Sequence, residues 1–247
     1  MTTWGTLRRL ADNASETSIA HRLRVRRFEY FLCLARAIEG SYRILDVGGT
    51  VGFWERMGVL DRMDVEVVVQ NVTLPKVARS HPKVRPVIGD ARHMPEFATG
   101  EFDVVFSNSV IEHVGDFDDQ RRMADEVRRV GRRFFVQTPN RWFPLEPHFL
   151  VPFFQHYPEW LKVSLIRNFD LGQFVRRATH EEALDLARSV QLLDREDLEL
   201  LFPGATIWEE RVAGLCKSLV AYDGWDREAS ILARSSSTRR LMASAAE

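Results

Sequence analysis

The segment Arg43-Ile-Leu-Asp-Val-Gly-Gly-Thr-Val-Gly52 limits what this chain can fold into more than any other. A short, largely apolar run stops at consecutive glycines, which reads as a buried strand entering a sharp turn. Glycine lets a backbone turn tightly and lets a ligand come close to it. Four more short apolar runs follow, at 65–69, 84–88, 104–106 and 134–137. The segments between them are mostly helical in pattern. In 117–130, for example, Met123, Val127 and Val130 share one face and charges occupy the rest. Strands alternating with helices predict an α/β fold, a doubly wound parallel sheet. In such sheets a ligand sits beyond the carboxyl ends of the strands.

Those ends are polar. A dinucleotide fingerprint would need glycine at 47, 49 and 52, and position 47 is Val. The loop instead meets an acidic-x-Gly-x-Gly-x-Gly pattern at Asp46, Gly48 and Gly52, with Thr50 at the middle glycine. The second strand ends in Gln70-Asn71, where an amide can reach a ribose diol. The third ends in Gly89-Asp90-Ala91, where a carboxylate can accept from an adenine amino group. The fourth ends in Ser107-Asn108-Ser109, followed by Val110-Ile111-Glu112-His113-Val114.

In this order and spacing the motifs resemble class I S-adenosylmethionine-dependent methyltransferases, close to the broad small-molecule group called type 11. The resemblance covers residues 18–222, with the matched motifs between 44 and 140. It implies a Rossmann-like seven-stranded sheet, mostly parallel with one late antiparallel strand. It implies S-adenosylmethionine as cofactor and S-adenosylhomocysteine as product. It further implies that Asp46, Gly48, Gly49, Gly52, Gln70, Asn71, Asp90, Ala91 and Asn108 line the cofactor site. Within that set, Asp46 orders the loop, Asn71 replaces the usual ribose-binding acid, Asp90 meets the adenine, and Asn108 lies near the sulfonium.

Methyl transfer is an in-line displacement that needs alignment and exclusion of water, with a general base optional. His113 and His148 are the candidate bases, since imidazole titrates near neutrality. A hydrogen bonder at a helix start and a packed loop residue are their structural readings. His21, on the first helix, ranks third. The seven histidines are dispersed with no zinc-like spacing, so no metal site is expected. Asp116, Asp118 and Asp119 read as a helix cap.

After Pro139 the alternation stops. Seven aromatic residues fall between Trp142 and Trp160, where an overall aromatic content of 11% would place about two. Residues 140–178 therefore read as an insertion. In the family such a segment caps the acceptor, and an aromatic wall suits a ring-bearing or lipid-like acceptor. A satellite core, a dimer surface and a peripheral membrane contact at Phe153-Phe154 and Trp160-Leu161 stay open as alternatives. Helices are expected near 179–189 and 194–201, and strands near 205–212 and 217–222. A helix over about 17–39 puts Phe28, Phe31, Leu32, Ala35 and Ile38 on one face. Arg22, Arg26, Glu29 and Arg36 form an opposite, solvated face. Asn13 and Glu16 would cap it. Residues 1–16 read as a polar lead-in and 223–247 as a tail.

The 247 residues carry 34 basic and 35 acidic side chains, a net charge of −1, so bulk charge draws no polyanion. Nucleic acid is not the expected partner, and no base-extruding Pro-Pro-Tyr motif occurs. Two distant cysteines, Cys33 and Cys216, make neither a disulfide framework nor a four-thiolate zinc site. The start lacks a secretory apolar run, and no spanning stretch is visible, which makes a soluble cytoplasmic protein the expectation. The expected activity is methylation of a hydroxyl or amine on a small-molecule or lipid-like acceptor. The alternative is a non-catalytic binding or regulatory protein on the same fold. The oligomeric state is left open.

Overall fold

A computed structural model describes residues 19–73, 80–226, 228–231 and 233. The Asn13–Glu16 cap, the lead-in and most of the tail lie outside the described residues. Helix α1 (Ile19–Ala35) leads into β1 (Tyr42–Val47), then α2 (Val51–Met57), β2 (Val65–Asn71), β3 (Val84–Ile88) and β4 (Val104–Asn108). A helical turn at Ile111–His113 precedes α3 (Phe117–Val130) and β5 (Phe134–Pro139). The insertion holds a turn at Phe154–His156 and α4 (Glu159–Asn168). Then come α5 (His180–Arg188), α6 (Arg195–Leu201), β6 (Thr206–Val212) and β7 (Leu215–Asp223).

The strands form one seven-stranded sheet in the order β3-β2-β1-β4-β5-β7-β6, with β7 antiparallel to both of its neighbours. The order reverses between β1 and β4, and that switch point opens a crevice at the carboxyl ends. Successive side chains face opposite sides of a strand. Tyr42 and Ile44 of β1, with Val104 and Phe106 of β4, therefore pack under α1 and α2. Leu45, Val47 and Val105 pack against α3 and α6 on the other face. Burial on both faces is why these strands read as continuous apolar runs.

Local signals explain the helix boundaries. Asp116 caps α3 by accepting from the backbone N–H groups of Asp118 and Asp119, each at 3.0 Å. Thr50 caps α2, its hydroxyl accepting from Phe53 N–H at 3.2 Å, which gives the non-glycine residue in the loop a local purpose. The insertion builds its own small core from Phe149, Phe154, Val163, Ile166 and Leu171, together with Ala183, Leu186 and Ala187 of α5. Phe154 is thus interior, whereas Phe153 and Trp160 are exposed. Helix α1 ends at Ala35, short of residue 39, and buries Tyr30 and Leu34 alongside Phe28 and Phe31. Among the described residues no helix is long and apolar enough to cross a membrane.

Candidate functional site

The turn after β1 is fixed from below. Gly48 adopts φ +74°, a left-handed conformation that side chains disfavour, and its N–H donates to the Gln70 carbonyl at 2.8 Å. Gly49 has a different constraint: a Cβ there would collide with the Asp46 carboxylate. That carboxylate is fully buried and accepts from the Trp54 indole N–H at 2.7 Å. Burial pushes its pKa up to about 7, against the opposing effect of the Trp54 hydrogen bond. Asp46 therefore organises the loop through Trp54. Gly52 is buried in the first turn of α2.

At the end of β2, Asn71 Nδ2 donates to the Gly49 carbonyl at 2.9 Å, so its amide ties the second strand to the loop. Gln70 is buried and its Nε2 donates to Glu96 at 3.0 Å, leaving Oε1 without a hydrogen-bond partner. Asp90 is half exposed and gripped by Arg92, whose guanidinium donates to both carboxylate oxygens at 2.6–3.1 Å. The Arg92 contact holds its carboxyl below the ordinary value, overcoming partial burial. Ala91 is buried in the core beside it.

At the end of β4, Asn108 Oδ1 accepts from Arg27 Nη1 at 2.5 Å. The same nitrogen donates to Gln137 Oε1 at 2.8 Å, and Nη2 donates to Glu210 Oε2 at 2.7 Å. Ser218 Oγ also donates to Glu210, at 2.6 Å. Burial works against the charge of Glu210, yet Arg27 and Lys217 hold its carboxyl below the ordinary value. Burial and the Arg27 charge push the neighbouring Lys217 amine down to about 8. The helical pattern of α1 assigned Arg22, Arg26, Glu29 and Arg36 to a solvated face and left Arg27 unmarked, so this network went unseen in the sequence. The signal was available: Leu23, Arg27, Tyr30, Phe31 and Leu34 follow helical spacing, and Arg27 lies inside that buried stripe.

The fold brings His113 and His148 together, although they lie on different segments. Their rings cross at 85° with centroids 4.8 Å apart. His148 Nδ1 lies 2.6 Å from Glu146 Oε1. Burial opposes its charge, but the Glu146 contact and the charge of Glu112 raise its pKa above the ordinary value. His113 is exposed, with Nδ1 3.3 Å from the Ser189 carbonyl. Glu112, fully buried, receives a hydrogen bond from Thr138 Oγ1 at 3.0 Å, and burial pushes its carboxyl up. Neither Glu112 nor Glu146 stood out in the sequence as more than a neighbour of histidine. His21 is only half buried.

A glycine loop after β1, polar ends on β2, β3 and β4, and an antiparallel β7 define a class of fold. Residues 45–133 of the 247 match the model of the methyltransferase domain family. That match is to a methyltransferase domain, and it lies on the β1–β4 half of the sheet through α3. It is 36% identical over 70 residues to the uncharacterized protein Rv1509 of Mycobacterium tuberculosis, a match covering 28% of this chain and 24% of that protein. The match thus spans about a quarter of the length of that relative. Among solved structures, it is similar to Burkholderia thailandensis 1,6-didemethyltoxoflavin-N1-methyltransferase, solved with 1,6-didemethyltoxoflavin and S-adenosylhomocysteine. There the TM-score is 0.49 and identity 14%, covering 80% of this chain and 76% of that one. A SAM-dependent methyltransferase from Methanosarcina mazei aligns with TM-score 0.47 and 12% identity, covering 76% and 94% of the two chains.

Proposed function

We propose that the chain transfers a methyl group from S-adenosylmethionine to a hydroxyl or amine of a small-molecule or lipid-like acceptor. The observation that carries this reading is the set of acceptors at the ends of β2 and β3, beside the glycine loop of β1. S-adenosylmethionine presents hydrogen-bond donors along its length: an ammonium, a ribose diol and an adenine amino group. Asn71 Oδ1, Gln70 Oε1 and the Asp90 carboxylate are acceptors, and Gln70 Oε1 is a buried acceptor lacking a partner. The donor set of the ligand and the acceptor set of these strand ends are complementary.

Bound there, the cofactor supplies an electrophilic methyl on a sulfonium with a thioether leaving group. The protein's residues do the remaining work. Asn71 and Asp90 hold the nucleoside in register, and the Gly48 turn lets the backbone approach it. Asn108, fixed by Arg27, borders the reacting end. His113 and His148 accept the proton that the acceptor gives up. The aromatic insertion excludes water and selects an acceptor with apolar bulk.

Calorimetric titration with S-adenosylmethionine and S-adenosylhomocysteine tests the first half. Micromolar binding of both is expected, and no binding by a folded sample would overturn the reading. A panel of phenols, alcohols and amines, read by the mass of one added methyl, tests the second. Cofactor binding with no transfer to any of them would favour the binding-protein alternative.

A further inference from the structure

Histidines dispersed in the sequence are gathered by the fold. Glu112 and His113 lie on the turn after β4 and His148 comes from the insertion. Each offers one donor atom, and these atoms lie within 4.8 Å of one another. Among the described residues no other group of three His, Cys, Asp or Glu side chains does this.

Three features set the cluster apart from a chance meeting. Glu112 Oε1 is buried with no hydrogen-bond partner, while Oε2 is taken by Thr138. An unpaired buried carboxylate oxygen is costly, and a cation satisfies it. Behind His148, the Glu146 carboxylate is itself pinned. Its Oε2 accepts from the backbone N–H of His148 at 2.8 Å and of Phe149 at 2.6 Å, and Oε1 meets His148 Nδ1. Behind His113, the Ser189 carbonyl meets Nδ1 in the same way. A carboxylate or carbonyl on Nδ1 fixes the tautomer that turns Nε2 toward a metal.

We propose that Glu112, His113 and His148 bind one divalent transition-metal ion, with Glu146 and the Ser189 carbonyl orienting the two rings. Two imidazoles and a carboxylate favour zinc, cobalt, iron or manganese over calcium and magnesium. Three protein ligands leave coordination positions open, as in catalytic metal sites. Metal–ligand distances are about 2.0–2.2 Å, so donors as far as 4.8 Å apart close on an ion by small side-chain rotations. Exposed His113 has room for one. An ion takes the Nε2 lone pairs, so His113 and His148 act as bases only in the metal-free protein, and metal uptake itself needs no methyl transfer. In one respect the inference rests on the proposed function: an ion here lies at the acceptor end of the crevice and favours an acceptor that offers oxygen.

The test uses the full chain, freed of metal by chelation and dialysis, titrated with cobalt chloride alone and then with zinc chloride. One ion per chain is expected, with cobalt giving visible ligand-field absorption that zinc abolishes. His113→Ala, at an exposed position, should keep its circular dichroism and lose at least about tenfold in affinity. Glu146→Gln, which touches no ion, should lose about 10–100-fold with the stoichiometry unchanged. Should Glu112→Gln fail to fold, these two variants decide the matter. No uptake by folded wild type overturns the site, as does equal uptake by His113→Ala and His148→Ala. S-adenosylhomocysteine titrations of the same samples separate the two readings. Its binding without metal uptake sinks the metal site alone, and metal uptake without its binding supports the site and sinks the cofactor reading.

Discussion

Arg27 and Asn108 stand 81 positions apart in the chain and share a hydrogen bond of 2.5 Å. The contact joins the first helix to the strand end that borders the crevice. Through Arg27, Asn108 is also joined to Gln137 of β5 and Glu210 of β6. With Ser218 of β7 at 3.4 Å, one guanidinium spans four adjacent strands, and its planar fork suits several acceptors at once.

Arg27→Ala should destabilise the fold by about 3–5 kcal/mol, because it leaves Glu210 buried and uncompensated. Urea unfolding measures this. The double variant Arg27→Met/Glu210→Leu should recover much of the loss, since the orphaned charge is gone. A single-variant cost under about 1 kcal/mol would mean the pair is solvated in solution.

Asn71 links β2 to the glycine loop through a single side-chain hydrogen bond. Asn71→Ala removes that tie and the acceptor proposed for the ribose diol together. S-adenosylhomocysteine affinity should fall by about 1–2 kcal/mol, roughly a factor of ten, with unfolding little changed. Asn71→Asp restores an acceptor with charge and loses the donor to the Gly49 carbonyl. Calorimetry on both variants separates the roles: if Asn71→Asp binds as tightly as wild type, the ribose contact outweighs the loop tie.

The alternation of strands and helices was legible because the central strands are buried on both faces, which leaves an unmistakable apolar run. The helices expected near 179–189 and 194–201 run over 180–188 and 195–201, where Thr179 and Asp194 fix their starts, each in a reciprocal pair with an acid three residues on. What the sequence hid depends on distance along the chain. Arg27 meets Glu210 across 183 positions, and nothing local in either residue announces the other. The His113–His148 meeting depends on the path of the insertion, which period and propensity do not define. α5 reads as a return to the main alternation, yet it packs into the insertion's core. The glycine loop was legible as a loop, but the reason for each glycine was not. Gly49 makes room for Asp46, which no spacing rule reveals.

That relationship can be tested by a double-mutant cycle. Gly49→Ala places a methyl group against the Asp46 carboxylate and should destabilise the protein by about 1–3 kcal/mol, the usual cost of overpacking. Asp46→Ala strands the Trp54 indole N–H at a cost of similar size. Combined, the two should cost less than their sum by at least about 0.5 kcal/mol, because the collision disappears with the carboxylate. Strict additivity in the urea midpoints would show that Gly49 and Asp46 do not constrain each other.

Asp46 also sets a pH dependence whose sign is fixed. Its carboxyl ionises near 3.8 in an unfolded chain and near 7 in the folded protein, with burial as the main cause. Between these values the folded state holds the extra proton, so stability falls as pH rises through the window and levels off above about 7. The total is at most about 4 kcal/mol. Asp46→Asn keeps an acceptor for the Trp54 N–H and removes the titration. Other groups titrate equally in both proteins, so the difference in unfolding free energy isolates this carboxyl. That difference should shift steadily in favour of the variant between about pH 4 and about pH 7 and hold constant above. A difference that stays flat across the whole range would mean that the buried carboxyl keeps the same protonation state folded and unfolded.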